Sequence, residues 1–278
     1  MYTASGRPTM RSLKWELRMV NGPSAEPMHV NDAKDHLRRG KDITSEDALL
    51  KRYIESARDK VESDTSRAIC WQRWKLTLDQ FPDVIDIYKC PVLTVDSIKY
   101  QDSNDVQQML ASSVYKVSYT EPCRIQLAAN QQWPIVLPEI GSIEITFTCG
   151  YLTPFTADST TDLLTFTDYS PTNGDSFRLT NSGGELPGGL QEKRTYYVVN
   201  ASGTTCKLSA TSGGSAIDIT SKGGGLHYLG ECSPAIVTAM RKRIAVEFAD
   251  REGSESAAKC EESYVYSLTP CLYTSLRC

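Results

Sequence analysis

Two amphipathic helical patterns lie far apart in the chain, one near its start and one near its end. The first apolar stripe consists of Leu50, Ile54, Ala57 and Val61, and the second of Val237, Met240, Ile244 and Phe248. In each stripe the apolar residues recur three or four positions apart, which places them on one face of an α-helix. An apolar stripe needs a partner, and the obvious partner of the last stripe is the first one. We therefore expect the two helices to pack together over the same sheet.

Helix boundaries are marked by capping residues. Asn31 can cap a short first helix that stops at Gly40, and Thr44 or Ser45 can open the helix with the first stripe. Ser233 and Pro234, a capping serine and a first-turn proline, open the last helix. The sequence therefore predicts three helices.

Between the two stripes the pattern changes to a period of two. Trp74, Leu76 and Leu78 alternate with polar residues until Phe81-Pro82 breaks the run. Further strands are predicted over 84–88, 92–100, 114–119, 124–127 and 143–149. These patterns predict an α+β fold in which the helices pack on an antiparallel β-sheet.

Most of the chain's glycines, together with many Ser and Thr residues, fall between Leu152 and Gly230. Short strands with turns at Asn173-Gly174 and Ser212-Gly213-Gly214 predict an inserted all-β domain. We divide the chain into an N-terminal arm (1–25), a core (26–151 with 231–252), the inserted β domain (152–230) and a C-terminal tail (253–278).

Composition narrows the class of protein. The 278 residues are 40% hydrophobic and carry a net charge of −4, which argues against a general polyanion binder. The start of the chain lacks the apolar segment of a secretory signal, and no apolar run approaches the ~20 residues that cross a bilayer. The nine cysteines form no CxxC pair, which favours reduced thiols in a cytosol over a zinc site.

No catalytic motif stands out. Gly213 to Ile217 lacks the second glycine of a nucleophile elbow, and no glycine-rich stretch ends in the GK[ST] of a phosphate-binding loop. His29, His36 and His227 lie at unrelated positions. We therefore expect no enzyme, no metal and no cofactor.

Two segments are candidate contact sites. Arg241, Lys242 and Arg243 could touch phosphate or a neighbouring protein, although Arg243 precedes Glu247 by four residues and such a run is often the solvated side of a helix. The C-terminal tail is polar at first and then carries aromatic and aliphatic residues, which suits a segment that becomes ordered on docking. Those residues are Tyr264, Tyr266, Leu268, Leu272 and Tyr273.

The order of these signals resembles a known family. The segments that carry the resemblance are Asp32 to Leu37, Ala57-Arg58 with Val61-Glu62, Thr65 to Ala68, Trp74 to Pro82, CPVLTVDSIKYQDSN, YKVSYTEPCRIQL, Trp133-Pro134, IEITFTCGY and 234–252. In this order they are similar to the head-to-tail connector proteins of tailed bacteriophages, also called head-completion or adaptor proteins. The resemblance covers 26–151 and 234–252. The insertion is similar to a small β module that recurs in phage structural proteins.

The resemblance implies a structural virion protein made in the host bacterial cytoplasm. It implies a dodecameric ring that adapts the portal vertex to the tail or neck and extends the DNA channel. The implied partners are further copies of the chain, the portal protein, the next neck or tail-completion protein and, transiently, double-stranded DNA, with no membrane. In this setting the basic cluster would contact a subunit, the portal or the channel, and the tail would dock on the portal. The alternative is a glycan- or surface-binding β module on a helical scaffold.

Overall fold

The computed structural model describes residues 15–250 together with Tyr264 and Leu268. Within these residues there are three helices: α1 (Val30–His36), α2 (Asp47–Thr65) and α3 (Pro234–Asp250). His29, and not Asn31, caps α1, because its side chain accepts a hydrogen bond from the Asn31 amide. α2 begins later than predicted, at Asp47, and the left-handed conformation of Ser66 ends it.

The helices pack mainly on one another. Their apolar stripes meet in a first core that contains Leu50, Ile54, Val61, Ile236 and Ile244, all almost fully buried. The mixed α+β class is confirmed, and the expected packing of the first helical stripe against the last is observed. The sheet has its own core, and the helices meet only its margin and one barrel strand, where Cys70, Leu152 and Tyr228 join the first core.

Five antiparallel strands form one sheet, which we call the large sheet. Its strand order is β1-β2-β8-β4-β5, with β1 at Trp15–Asn21, β2 at Gln72–Leu78, β4 at Val92–Gln101, β5 at Gln107–Met109 and β8 at Ile143–Cys149. The predicted alternation of β2 is observed, since Leu76 and Leu78 lie opposite Ile145 and Ile143 of β8. β1 falls inside the predicted N-terminal arm and was not expected; Trp15, Leu17 and Met19 face Leu78, Leu76 and Trp74 across the ladder.

A smaller sheet covers part of this large one. It has the order β3-β7-β6, with β3 at Val84–Ile87, β6 at Tyr115–Ser118 and β7 at Cys123–Leu127. The two sheets enclose a second core that includes Ile85, Ile125, Ile145 and Phe147. Three strands cannot cover five, so part of the large sheet lacks a facing strand.

The Gly-rich segment forms a closed six-stranded barrel with the order β10-β13-β12-β11-β14-β9. The strands are β9 (Thr153–Asp158), β10 (Leu163–Thr165), β11 (Ser176–Ser182), β12 (Thr195–Ser202), β13 (Thr205–Ser209) and β14 (Leu226–Leu229). A third core that includes Leu164, Leu179, Tyr196 and Leu208 fills it. All six strands fall within the predicted β domain, whose exact bounds stay a prediction. Asn173-Gly174 does not form a hairpin, because β11, which follows it, does not pair with β10.

Candidate functional site

The predicted basic cluster lies in the middle of α3, and its members have different surroundings. Arg241 is exposed, whereas Lys242 and Arg243 are partly buried. The Nε of Arg243 donates to Oε1 of Glu247 at 3.0 Å, and the hydroxyl of Ser56 on α2 donates to the same oxygen at 2.7 Å. Arg243 therefore helps to join α3 to α2. A contact of this cluster with a subunit, the portal or DNA stays a prediction.

The structure brings His36, at the end of α1, and Arg39, three residues later, close to α3. Burial, and then the charge of Arg241, lower the pKa of His36, which also makes a hydrogen bond to the Arg241 backbone. The guanidinium carbon of Arg39, which follows α1, lies 5.0 Å from the ring centre of Phe248. Sequence reasoning missed this grouping because α1 and α3 lie at opposite ends of the chain.

Two of the five predicted tail residues are described, and both are buried. Tyr264 and Leu268 are 1% and 2% exposed, and both belong to the first core. The Tyr264 hydroxyl donates to Asp64 Oδ2 on α2 at 2.5 Å. In this state these two side chains are covered by the chain's own helices and are not presented to a partner. Tyr266, Leu272 and Tyr273 lie outside the described residues.

A buried ionic network joins α2 to the sheet. Glu62, 4% exposed, accepts from the Ile69 amide at 2.7 Å and from the Gln72 side chain at 2.9 and 2.8 Å. The side-chain nitrogens of Arg58 and Lys89 each lie 3.7 Å from Glu62 Oε2. One carboxylate thus holds the end of α2, the start of β2 and the segment after β3, so the helices have a fixed position on the large sheet.

A second set of contacts anchors the barrel to α1. Ser182, on β11, accepts a hydrogen bond from the His29 amide at 2.8 Å and donates to Asp32 Oδ2. Tyr228, on β14, reaches into the first core, and its hydroxyl donates to the Glu26 carbonyl. The barrel is therefore held to the helices by hydrogen bonds and by one buried aromatic side chain.

An apolar cleft opens where the large sheet extends beyond the small one. It lies between β1 and β3 and has a volume of about 280 Å³. On its β1 side Trp15 is 59% exposed. Its lining residues are Trp15, Leu17, Leu76, Leu78, Pro82, Val84, Ile85, Asp86, Ile87 and Tyr88. The alternation of Trp15, Leu17 and Met19 could have revealed β1 from the sequence.

The described residues offer little reactive chemistry. In this part of the chain no group of three or more His, Cys, Asp or Glu residues is placed to hold a metal ion. Burial raises the pKa of Cys123 and Cys206 to about 12, so these thiols are poor nucleophiles near neutral pH. No helix in the described ranges is long and apolar enough to cross a membrane.

One protein family matches the chain. Residues 27–126 match the family described as phage gp6-like head-tail connector protein. These residues are therefore similar to a head-tail connector domain. The match begins just before α1, runs through α2 and the strands β2 to β6, and ends one residue before the end of β7. The recognised resemblance is confirmed, and the chain is a structural adaptor of phage head-to-tail junctions. The β barrel lies outside the match.

Solved structures of phage-like particles are also similar to about half of this chain. They are the neck of an empty gene transfer agent (GTA) particle computed with C6 symmetry (25% identity, TM-score 0.43), the virion of a native GTA particle (26%, 0.41) and the neck of a native GTA particle computed with C12 symmetry (24%, 0.41). Each alignment covers 49% of this chain and 70% or 71% of the matched chain. No curated protein matches the chain.

Proposed function

We propose that this connector assembles into a ring, with twelve copies as the expected number, between the portal vertex and the tail or neck of a phage particle. The observation that carries the proposal is the family match over 27–126, which spans the helices α1 and α2 and most strands of the large and small sheets. The ring extends the DNA channel and offers a platform to the next neck or tail-completion protein. Assembly takes place in the host bacterial cytoplasm.

The described contacts are compatible with a rigid ring subunit. The Glu62 network fixes the helices to the large sheet, and the His29–Ser182 and Tyr228–Glu26 bonds fix the barrel to the helices. A ring of like subunits needs two different surfaces on each subunit that meet head to tail and close by rotation. A subunit with little internal freedom keeps these surfaces at one angle, which favours closure over an open filament.

The basic surface on α3 is a candidate contact within this assembly. Arg241 lies beside His36, Arg39 lies over the ring of Phe248 on α3, and the chain as a whole carries a net charge of −4. A channel protein must let DNA pass, so few phosphate contacts are expected, because each one adds affinity and salt dependence. We therefore assign Arg241 and Lys242 to a subunit or portal contact. The docking role of the tail is assigned to Tyr266, Leu272 and Tyr273, because Tyr264 and Leu268 are buried.

Electron microscopy of the purified chain, alone and with its portal, tests the proposal. We expect rings that form on the portal and show twelvefold symmetry. The Arg241→Ser/Lys242→Ser variant should form fewer rings, and Lys51→Ser/Arg52→Ser, two exposed basic residues of α2, is the matched control. Particles in which the chain never occupies the junction of head and tail would overturn the ring proposal. Normal rings from the α3 variant would remove only the role of the basic surface.

A further inference from the structure

We propose that the cleft between β1 and β3 binds an extended, lysine- or arginine-bearing segment of a partner protein, which adds to the small sheet as a strand beside β3. This interaction goes beyond the ring proposal and does not depend on it. It rests on three features of the described residues: an unoccupied strand position, an apolar lining and an acidic rim.

The strand position follows from the sheet topology. β3 is the first strand of the small sheet and has β7 as its neighbour on one side. The large sheet continues past it, because β1 and β2 line the cleft opposite β3. Neighbouring strands lie about 4.8 Å apart, so a further strand beside β3 would lie over the uncovered part of the large sheet. An edge strand presents backbone N–H and C=O groups that such a segment can pair with.

The lining explains why the added segment would need apolar residues. Leu76 and Leu78 are buried in the floor of the cleft, whereas Trp15 is 59% exposed and Leu17 is partly buried at its β1 side. Side chains alternate between the two faces of a strand. Every second residue of the added strand would therefore point into the cleft and cover Trp15 and Leu17.

The remaining side chains of the added strand would meet acidic groups. Within β3, Ile85 and Ile87 point into the second core, and Asp86 alternates with them towards the other face. Asp83, which precedes β3, is exposed. Arg124 Nε lies 3.5 Å from Asp86 on the β7 side, away from the cleft. A cationic residue on the outer face of the added strand would complement Asp83 and Asp86.

The chain itself contains a competing occupant. Residues 1–14 precede β1 and include Arg7, Arg11 and Lys14 but no acidic residue. A segment of this composition has the same charge as the proposed partner. The experiment must therefore separate a partner's segment from the chain's own residues.

Binding of a short labelled peptide in which valine and lysine alternate, measured by fluorescence anisotropy, tests the proposal. Two comparison peptides alternate valine with glutamate, or carry the valines and lysines in separate blocks. We expect the alternating valine–lysine peptide to bind the full chain most tightly and to slow amide hydrogen exchange in Val84–Ile87. Asp83→Lys/Asp86→Lys should weaken this binding by at least about tenfold. Trp15→Ala should also weaken it.

Matched controls come from the opposite edge of the large sheet. Asp105→Lys and Met109→Ala change an exposed acid and a 67% exposed apolar side chain beside or within β5, and we expect neither to alter binding. Equal binding of the valine–glutamate peptide, or slowed exchange in β5 instead of β3, would contradict the proposal. No binding to the full chain or to a chain that starts at Trp15 would refute the site. Binding to the shortened chain alone would show that residues 1–14 are the occupant and would overturn the assignment to a partner.

Discussion

Replacing Glu62 with glutamine should destabilise the protein far more than the same change at an exposed glutamate of α2. The glutamine side chain keeps the volume and one acceptor oxygen, but it removes the negative charge 3.7 Å from both Arg58 and Lys89. It also brings a second NH₂ group towards the Gln72 amide, which now donates to both carboxylate oxygens. Two donors would then face each other in a buried site.

The size of the effect follows from the contacts that survive. Breaking a buried ion pair by removing one partner costs about 3–5 kcal/mol. Arg58 keeps its bonds to Glu26 and Asp59, and Lys89 keeps its bond to the Arg67 carbonyl. We therefore expect the lower end, a loss of about 3 kcal/mol in the free energy of unfolding. In a chain of this size that corresponds to a decrease of roughly 6–12 °C in Tm.

Urea denaturation followed by far-UV circular dichroism measures this loss through the helical signal. The control is Glu55→Gln, an exposed position on the same helix, which should change stability by less than about 0.5 kcal/mol. If Glu62→Gln lost less than about 1 kcal/mol, or no more than the control, the network would not be what fixes α2 to the sheet.

Three further predictions concern the barrel and the tail. At Gly183 an added Cβ would lie 2.3 Å from His29 Cγ, whereas at Gly174, also at positive φ, it would meet nothing within 4 Å. Gly183→Ala should therefore lower Tm more than Gly174→Ala. Equal decreases in Tm would mean that backbone strain alone destabilises both variants. Burial lowers the pKa of His227, so the unfolded chain binds this proton more readily than the folded chain. The stability that is present above about pH 6.5 should therefore decrease as the pH falls. Urea titrations at pH 7.5 and 5.5 should show a smaller loss of unfolding free energy in His227→Gln than in the unchanged chain. Leu268→Ala should cost about 2–5 kcal/mol by calorimetry, and a neutral result would mean that this side chain does not support the first core.

Local pattern predicted the elements of the connector well where the periodicity was strong. The stripes of α2 and α3 and the alternation in β2 lie where the sequence placed them, because burial on one face imposes the period of each element. β5 gave no signal, since Gln107–Met109 has only one apolar residue and is only three residues long. The packing of the two stripes on each other was also predicted, because each stripe marks a buried face that needs an apolar partner. An apolar stripe alone does not show where on the sheet the helices lie.

The candidate contacts were harder to predict because they join distant parts of the chain. Nothing in the sequence near His36 indicates that Arg241 will lie beside it, and Ser182 gives no sign of its bonds to His29 and Asp32. The tail was expected to become ordered on docking, because its sequence is polar at first and then carries aromatic residues. Tyr264 and Leu268 lie four residues apart and could have been read as one turn of an amphipathic helix.

The segments through which the chain enters and exits the barrel lie side by side. β9 starts soon after β8 and pairs with β14, the last barrel strand, and Gly230 lies so close to the Tyr151 carbonyl that a Cβ there would collide with it. A folded insertion whose own strands hold its two ends together costs its host less closure entropy than a flexible loop of the same length, for which the cost rises with length. A domain attached in this way can be exchanged for another, or for a tight turn, while the flanking strand and helix keep their places. Replacing the barrel should therefore disturb the fold of the rest of the molecule little, provided that another side chain fills the space of Tyr228 in the first core.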